Sequence, residues 1–327
     1  MEDIKKLNTK ATEYSNKLSD VKKEIHKVIV GQEDIIDKLL ISLLSNGHVL
    51  LEGVPGLAKT QLIKSLSETL NVTFHRIQFT PDLLPADIIG TKIYDHQNAT
   101  FSTKKGPIFA NFILADEINR APPKVQSALL EAMQEKQVTI SGETFTLKKP
   151  FFVLATQNPL ETEGTYQLPE AQIDRFMFKL LIFYPSIKDE KEIISRNTTN
   201  MVENLKKLMD DKELIEIQQF TREVYVDEKI KDYVTQITDA TRNPHNYGLK
   251  INGYIEYGAS PRASIWMILA AKAAALLKSR GYVLPEDIQY IAKECLRHRI
   301  ILTYEAEAED LDPDQIINQI IDTVPVP

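Results

Sequence analysis

Residues 53–60 combine the residue types and the spacing that bind a polyphosphate. The segment reads Gly53-Val-Pro-Gly-Leu-Ala-Lys-Thr60, and it stands between an apolar run at 48–52 and a helical pattern that begins at Lys59. Backbone N–H groups of a tight loop, added to the positive end of the following helix, can surround phosphate oxygens. In such a phosphate loop Lys59 bridges the β- and γ-phosphates and Thr60 ligates Mg²⁺. The nucleotide-binding residues that we predict here are Gly53, Pro55, Gly56, Leu57, Ala58, Lys59, Thr60 and Gln61.

One position of the phosphate loop departs from the general pattern. The pattern has Gly immediately before the lysine, and this chain has Ala58 there. A methyl group is tolerated at that position only if the residue has helix-like φ and ψ, so we expect that backbone for Ala58. A relaxed loop of this kind also fits a plain strand-to-helix turn that binds nothing, and a second motif is needed to choose between the two.

Two adjacent carboxylates follow another apolar run. Asp116 and Glu117 end the segment Phe112-Ile-Leu-Ala-Asp-Glu117. Side chains at the carboxyl ends of buried parallel strands stand at the edge where open α/β sheets bind ligands. We predict that Asp116 holds Mg²⁺ and that Glu117 orients and polarises the attacking water. An apolar run that ends in Asp-Glu is also a common strand end, but its presence in the same chain as the phosphate loop favours the catalytic interpretation.

Five short apolar runs separated by helical patterns predict the sheet that positions these residues. Nearly continuous apolar runs suit strands that are covered on both faces, as in the parallel sheet of an α/β domain. We therefore predict an α/β fold in which helices such as 59–70 and 123–135 lie on both sides of a parallel sheet. The predicted strands are 48–52, 74–79, 110–115, 151–156 and 176–183.

Two segments interrupt this alternation of strands and helices. Residues 80–108 form an insertion rich in Pro, Gly and Asp. Residues 138–147 carry two short strand patterns around Ser141-Gly142, which predicts a β-hairpin. That hairpin segment has one acid and no base, so we expect an apolar, slightly acidic tip.

After Tyr184-Pro185 the pattern changes to helices only. We divide the chain into an amphipathic N-terminal helix (1–24), which we expect to be exposed, an α/β core (25–184) and an all-helical domain (185–327). Six of the ten residues in the segment 305–314 are carboxylates, so we expect a solvated tail or a partner surface there. The helices predicted after the boundary are 188–209, 211–223, 227–241, 260–279 and 285–299.

Composition restricts the class of protein. The chain has 327 residues, a net charge of −7 and one cysteine, Cys295. It begins with no apolar leader, and Lys272 interrupts its most apolar later stretch, so we expect neither secretion nor membrane insertion. A lone cysteine and dispersed histidines favour the reducing cytoplasm and give no local metal-ligand cluster. The acidic balance argues against a large nucleic-acid-binding surface.

With these motifs the chain resembles the AAA+ ATPases and, among them, the MoxR family. The resemblance covers about residues 25–300, and the Ala58 variant of the phosphate loop is similar to that of MoxR proteins. The other segments that carry it are Val30-Gly-Gln32, Ala115-Asp-Glu-Ile-Asn-Arg-Ala-Pro-Pro-Lys124, Ala155-Thr-Gln-Asn-Pro159, Leu168-Pro-Glu-Ala-Gln-Ile-Asp-Arg-Phe176 and Gly258-Ala-Ser-Pro-Arg262.

The resemblance implies roles for five further residues. Val30 and Gly31 would line the adenine pocket, and Asn158 would be the sensor-1 amide that positions the lytic water. Arg175 would be the arginine finger offered to the γ-phosphate of a neighbouring subunit, and Arg262 would be the sensor-2 arginine that reaches back from the lid. Without the resemblance, Val30 and Gly31 would be read as part of a loop between helices and Asn158 as a turn residue. Arg175 would be read as half of an Asp–Arg surface pair and Arg262 as an arginine in the first turn of a helix.

The resemblance also implies a fold and a function. The fold would be a P-loop sheet sandwiched by helices with a C-terminal helical lid, and the protein would be an Mg²⁺-dependent ATPase in a ring, a hexamer. The insertion at 80–108 resembles the helix-2 insert and the hairpin at 138–147 the pre-sensor hairpin, both of which project toward the pore. ATP hydrolysis would drive the remodelling or maturation of a client protein, or metal insertion into it, with a von Willebrand factor A domain protein as partner.

Two other functions share these motifs. One is a DNA translocase related to replicative helicases, and the net acidity of the chain speaks against it. The other is a nucleotide-binding scaffold that does not hydrolyse ATP, and such a scaffold has no need for Glu117.

Overall fold

The computed structural model describes residues 2–95, 99–159, 164–198, 204–251 and 253–327. The strands are β1 (Val49–Glu52), β2 (Phe74–Gln78), β3 (Gly90–Asp95), β4 (Thr100–Lys105), β5 (Phe112–Asp116), β6 (Gln137–Ile140), β7 (Glu143–Thr146), β8 (Phe152–Gln157), β9 (Phe178–Leu181), β10 (Ile255–Tyr257) and β11 (Ile301–Leu302). The helices are α1 (Glu2–Ile25), α2 (Glu33–Leu44), α3 (Lys59–Thr69), α4 (Pro85–Ile89), α5 (Pro123–Glu135), α6 (Glu170–Ile173), α7 (Ile187–Asn197), α8 (Asp211–Glu223), α9 (Glu228–Ala240), α10 (Pro261–Leu277), α11 (Pro285–Leu296), α12 (Tyr304–Ala308) and α13 (Pro313–Thr323).

Five of these strands form one parallel sheet, in the order β2-β5-β8-β1-β9. All neighbouring strands run in the same direction, with Leu50 beside Ala155 and Phe74 beside Phe112 in the register. The predicted α/β fold is confirmed. Because the strands are parallel, the phosphate loop after β1, the carboxylates at the end of β5 and Asn158 after β8 share one edge of the sheet.

Alternate residues of the strands enter two different hydrophobic clusters. Leu50 and Ile113 belong to the cluster that includes Leu129 of α5. Val49 and Phe112 belong to the other cluster, which includes residues of α2 and α3. Since helices cover both faces, the central strands β1, β5 and β8 are largely apolar, which is why the sequence shows continuous rather than alternating apolar runs there.

The insertion after β2 contains the short helix α4 and a β-hairpin. Strands β3 and β4 pair antiparallel, with Tyr94 opposite Phe101. The two rings lie 5.0 Å apart between centroids. Phe101 is 70% exposed, and Tyr94 and Ile93 are 41% and 43% exposed. The sequence predicted an insertion here but not this hairpin with its exposed rings.

The hairpin predicted at 138–147 is present as β6 and β7. Val138 and Leu147 are buried in the hydrophobic core, and Phe145 packs against the same cluster. The expectation of an apolar tip was wrong, because the apolar side chains of this hairpin face the core and the residues at its turn are polar. Lys92 of β3 pairs with Glu143 of β7 at 2.8 Å, so the two hairpins lie side by side.

The part of the chain after residue 185 is helical, as predicted, with two differences. The helix predicted at 188–209 ends at Asn197; residues 204–210 are not helical, and 199–203 lie outside the described residues. Strands β10 and β11 form a short antiparallel pair, so this part is not purely helical.

The acidic segment at 305–314 is not a free tail. It contains α12 and the start of α13, and Ala306, Ile316 and Ile320 are buried. Both oxygens of Asp314 accept hydrogen bonds from Arg297, at 2.7 and 2.6 Å. The other carboxylates of the segment are exposed, so the charges are solvated as expected while the apolar residues pack.

Helix α1 contacts both parts of the molecule. It packs against α3 and against α10. Ala11, Leu18 and Ile25 are buried, and the hydroxyl of Ser15 donates to the carbonyl of Leu277 at 2.8 Å. Only the charged face of this helix is exposed, which corrects the expectation of an exposed helix. The division at 24 and 184 stays a prediction, because α1, one face of the sheet and the C-terminal helices share one hydrophobic cluster.

Within the described ranges, no helix has the length and apolar character needed to cross a membrane.

Candidate nucleotide-binding site

A cavity of about 460 Å³ lies at the carboxyl edge of the sheet. The phosphate loop, the first turn of α3 and the ends of β2, β5 and β8 form its walls. It is lined by the predicted residues from Pro55 to Gln61 together with Asp116, Glu117 and Asn158. We call this space the phosphate cavity.

The two glycines of the phosphate loop serve different purposes. A Cβ atom at Gly53 would lie 2.2 Å from Cγ2 of Ile182, so only glycine can pass this side chain. Gly56 has a φ of +86°, in the left-handed region that glycine adopts without a steric penalty.

Ala58 has a left-handed backbone, with a φ of 55° and a ψ of 22°. The expectation of helix-like φ and ψ was therefore wrong. This conformation costs a residue with a Cβ roughly 1–2 kcal/mol, which explains why the general pattern has glycine here. Ala58 still opens α3, because its carbonyl accepts a hydrogen bond from the N–H of Leu62 at 2.9 Å. Backbone strain thus lies where the phosphate oxygens are expected.

Lys59 folds back over the phosphate loop. Its Nζ donates a hydrogen bond to the carbonyl of Gly53. Burial lowers the pKa of Lys59, and the nearby carboxylates of Asp116, Glu117 and Glu52 act in the opposite direction. A partly buried ammonium group is stabilised by a bound anion, so this position suits the oxygens of a polyphosphate.

Asp116 is held by two neighbours. Its Oδ1 accepts a hydrogen bond from the hydroxyl of Thr156 at 2.6 Å, and its Oδ2 accepts from Nε and Nη2 of Arg76 at 3.0 and 2.7 Å. A carboxylate has about four lone-pair sites, so these contacts do not exhaust it. Thr60 lines the same cavity.

These two residues fit the predicted metal. Mg²⁺ is usually held by one or two protein oxygen ligands together with substrate phosphates and water. The carboxylate of Asp116 and the hydroxyl of Thr60 supply such ligands. Across the described residues, no group of three or more His, Cys, Asp or Glu side chains could hold a metal ion by itself.

Glu117 follows β5 with a left-handed φ of 57°. Its Oε2 accepts a hydrogen bond from Nε2 of Gln78 at 2.7 Å and lies 3.3 Å from Nη1 of Arg120. Its backbone N–H donates to the hydroxyl of Thr156 at 2.9 Å. These contacts fix the carboxylate at the wall of the phosphate cavity.

Three residues that contact the carboxylates were missed by the sequence analysis. Arg76 and Gln78 lie on β2, and Thr156 lies near the end of β8. Their partners follow from the register, because Gln78 lies beside Asp116 in the parallel ladder. One sequence signal could have identified Arg76 and Gln78. They are polar residues at alternate positions of β2, whereas the central strands of the sheet are largely apolar.

A second cavity, of about 350 Å³, lies next to the phosphate loop. Val30, Ile35 and Ile182 contribute apolar walls, and Ile182 is also the residue that approaches Gly53. Gly31 follows Val30 and has a φ of 66° just before α2. Val30 thus lines this cavity, and a Cβ atom at Gly31 would lie 3.1 Å from Oδ2 of Asp189, which lines the same cavity.

Arg175 and Arg262 do not line the phosphate cavity. Both line a third cavity of about 310 Å³, together with Lys136 and Arg222, which we call the basic cavity. His48, which precedes β1, also lines it, so the basic cavity lies at the amino edge of the sheet. A four-residue strand spans roughly 13 Å, which separates the two edges.

The resemblance implied that Arg262 reaches back from the lid as the sensor-2 arginine, and the structure places its side chain beside Asp174. Its Nη1 donates to Oδ2 of Asp174 at 3.2 Å. The hydroxyl of Ser260, which caps α10, also donates to Asp174, at 3.0 Å. These contacts hold the start of α10 beside Asp174 and Arg175 at the amino edge, away from the phosphate loop.

The fold and the phosphate cavity define the class of this protein. Residues 48–178 match the family described as "ATPase family associated with various cellular activities (AAA)". Residues 250–320 match the AAA lid domain. The chain is thus built as an AAA domain followed by an AAA lid.

Similarity to individual proteins identifies the family. The chain is 48% identical over 305 residues to Chaperone MoxR1 of Mycobacterium tuberculosis, which covers 93% of this chain and 81% of that protein. It is 44% identical to YeaC of Bacillus subtilis over 100% of this chain and 97% of that one. The crystal structure of a Cytophaga hutchinsonii protein has 50% identity and a TM-score of 0.93, with all of both chains covered. The chain belongs to the MoxR family of AAA ATPases.

Proposed function

We propose that this protein is an Mg²⁺-dependent ATP hydrolase that works as a subunit of a homo-oligomeric ring, a hexamer, and remodels a client protein. The observation that carries the proposal is the phosphate cavity, where Lys59 and Thr60 face Asp116, Glu117 and Asn158 across one space. A cavity that only bound nucleotide would need Lys59 and Thr60. It would not need Glu117 and Asn158, whose proposed roles concern the attacking water.

The mechanism is an in-line attack of water on the γ-phosphorus. The new O–P bond forms as the bond from the γ-phosphorus to the bridging β-phosphate oxygen breaks, and ADP and inorganic phosphate are released. Lys59 and the N–H groups of the phosphate loop bind the β- and γ-phosphates. Glu117 orients and polarises the water, and the amide of Asn158 positions it. Thr60 and Asp116 would hold Mg²⁺, which offsets phosphate charge when it is bound. Positioning and charge stabilisation supply most of the rate enhancement.

The cavity beside Val30 suits the base of the nucleotide. It adjoins the phosphate loop through the contact of Ile182 with Gly53. Its apolar walls from Val30 and Ile35 fit the faces of an adenine ring, since such pockets are mostly apolar with few polar groups. We assign Val30 and Gly31 to adenine binding on this basis.

Arg175 and Arg262 serve the nucleotide of a neighbouring subunit in this proposal. The basic cavity lies at the amino edge of the sheet, and the phosphate loop lies at the carboxyl edge. One chain therefore cannot bring both to the same ATP molecule. A ring, in which the amino-edge surface of one subunit meets the phosphate cavity of the next, completes the site.

A client protein would be contacted by the hairpin of β3 and β4. Its rings, Tyr94 and Phe101, are exposed although they pair with each other. Exposed apolar side chains of this kind are suited to an unfolded or apolar polypeptide segment. The name of the relative Chaperone MoxR1 supports a chaperone-like role. Metal insertion into the client, a von Willebrand factor A domain partner and a cytoplasmic location belong to the same proposal.

Two substitutions in the phosphate cavity test this function. Lys59→Ala removes the phosphate ligand, so ATP affinity measured by calorimetry should fall. Glu117→Gln keeps the shape of the side chain and removes its charge, so ATP should stay bound while turnover is lost, because only the transition state loses stabilisation. Equal losses of ATP affinity in both variants would contradict the division of roles. The ATP-loaded Glu117→Gln protein is also the form with which a client is best captured.

A further inference from the structure

The basic cavity holds an unusual set of charges. Lys136 at the end of α5, Arg175 after α6, Arg222 in the last turn of α8 and Arg262 in the first turn of α10 all line it. Among the residues that the structure describes, no carboxylate lines it. The four cations come from four different elements, so helical spacing does not explain their convergence. Like charges gathered in one partly enclosed space repel one another.

Most of these cations lack an internal counter-ion. Arg262 pairs with Asp174, but Lys136, Arg175 and Arg222 form no ion pair with any residue that the structure describes. Nε of Arg175 is buried without a hydrogen-bond partner. Burial lowers the pKa of Lys136, and the charges of Lys149 and Arg222 lower it further. An anion in the cavity would relieve both the repulsion and the missing hydrogen bonds.

The shape of the basic cavity indicates which anion fits. Ile265 and Trp266 of α10 form an apolar wall, so the cationic groups stand on one side of the cavity and apolar side chains on the other. Guanidinium groups bind phosphate oxygens with paired hydrogen bonds, and several of them can share one phosphate group. A terminal phosphate with several oxygens matches four converging donors better than a single carboxylate does.

We propose that Arg222 and Lys136 join Arg175 and Arg262 in binding the triphosphate held in the phosphate cavity of a neighbouring subunit. This inference rests on the proposed function, which assigns only Arg175 and Arg262 to the neighbour's ATP. It adds two binding residues from α8 and α5, and it makes the amino-edge surface a phosphate-binding half-site. The source of the phosphate is ATP bound to another copy of the chain rather than free phosphate.

Matched charge removals test the two added residues. Arg222→Gln is compared with Lys212→Gln, which removes a charge from an exposed position of the same helix α8. Lys136→Gln is compared with Lys124→Gln, an exposed position of α5. Arg222→Gln and Lys136→Gln should each lower kcat roughly 10- to 100-fold while the affinity of ATP for the phosphate cavity stays within about twofold, and the controls should match the unmodified chain. Arg222→Lys should restore part of kcat, because it keeps the charge.

Trp266 provides a readout that does not depend on turnover. It is the only tryptophan of the chain and lines the basic cavity. In the assembled Glu117→Gln protein, ATP with Mg²⁺ should change the emission of Trp266, and adding Arg222→Gln should reduce that change. Adding Lys59→Ala instead should abolish it, because no neighbour then holds ATP. Inorganic phosphate or tripolyphosphate given to the Lys59→Ala protein should produce no change.

The outcomes separate this inference from the function on which it rests. If Arg175→Ala loses activity while Arg222→Gln and Lys136→Gln behave as their controls do, the two added residues are overturned and the proposed function stands. If Arg175→Ala also keeps full activity, the shared site itself is wrong. A Trp266 response to inorganic phosphate in the Lys59→Ala protein would show that the cavity takes a free anion, which contradicts the assignment to a neighbour's ATP.

Discussion

The phosphate cavity and the basic cavity differ in the charges that they carry. The phosphate cavity combines Lys59 and Arg76 with Asp116 and Glu117, whereas the described residues that line the basic cavity include cations and no carboxylate. Carboxylates can polarise water and hold Mg²⁺, so the phosphate cavity is suited to binding the nucleotide and activating the attacking water. The cations of the basic cavity are suited to stabilising negative charge. In the proposed function each cavity is therefore half of one site, and two copies of the chain are needed to assemble it.

The largest expected effect comes from Arg175→Ala. It removes a cation from the basic cavity only, so kcat should fall by about 10³ or more while ATP affinity stays unchanged. Steady-state kinetics and calorimetry on the same preparation measure both quantities. A parallel loss of ATP affinity would mean that Arg175 serves its own chain, which would break the comparison between the cavities.

His48 in the wall of the basic cavity should make stability depend on pH. Nδ1 accepts a hydrogen bond from the N–H of Val153 at 3.1 Å, and Nε2 donates to the carbonyl of Met133 at 3.2 Å. Burial lowers the pKa of His48 to about 4 from its usual 6.5. As the pH falls, His48 therefore gains a proton in the unfolded chain before it does so in the folded chain. The contribution of neutral His48 to the free energy of unfolding is complete above pH 6.5 and is lost between pH 6.5 and 4. The loss amounts to roughly 3 kcal/mol at most.

Thermal unfolding measured at several pH values tests the role of His48. His48→Gln should lower Tm at neutral pH and flatten the fall of Tm below pH 6.5, whereas His245→Gln at an exposed position should change neither. His298 is half-buried, and desolvation lowers its pKa as well, so a residual slope should remain. An unchanged slope in His48→Gln would show that the histidine in this wall does not govern the acid response.

Ala58→Gly should produce the smallest effect, on the side of the phosphate cavity. Glycine removes the left-handed strain of Ala58 but loses more entropy on folding, so stability should rise by up to about 1 kcal/mol. Ala86→Gly in α4, where the backbone is helical, should instead cost up to about 1 kcal/mol. Urea unfolding of the two variants measures the difference. A loss of stability in Ala58→Gly would mean that the strain is not carried by this residue.

The sequence was sufficient where local pattern and parallel strands decide the outcome. The phosphate loop, Asp116, Glu117 and Asn158 meet because each follows the carboxyl end of a buried strand, and those ends share one edge. The contacts of Arg76 and Gln78 with the carboxylates could not be predicted, because they depend on which strand neighbours which and in what register.

Other differences arise from tertiary packing that the pattern does not encode. The apolar positions of 138–147 predict a hairpin but do not determine whether its apolar side chains face solvent or the core. The structure buries Val138 and Leu147 in the core. The position of Arg262 depends on how α10 docks against Asp174, which is remote in sequence. The backbone of Ala58 follows from the tight turn of the loop, although alanine rarely adopts it.

Mixing two inactive variants tests the shared site most directly. Lys59→Ala lacks a working phosphate cavity but keeps its basic cavity, and Arg175→Ala has the reverse defect. In a random equal mixture about one interface in four joins an intact phosphate cavity to an intact Arg175, so ATPase activity should reappear and should peak near equal proportions. Absence of recovery at every ratio, in subunits shown by labelled exchange to form mixed assemblies, would contradict a site built from two copies of the chain.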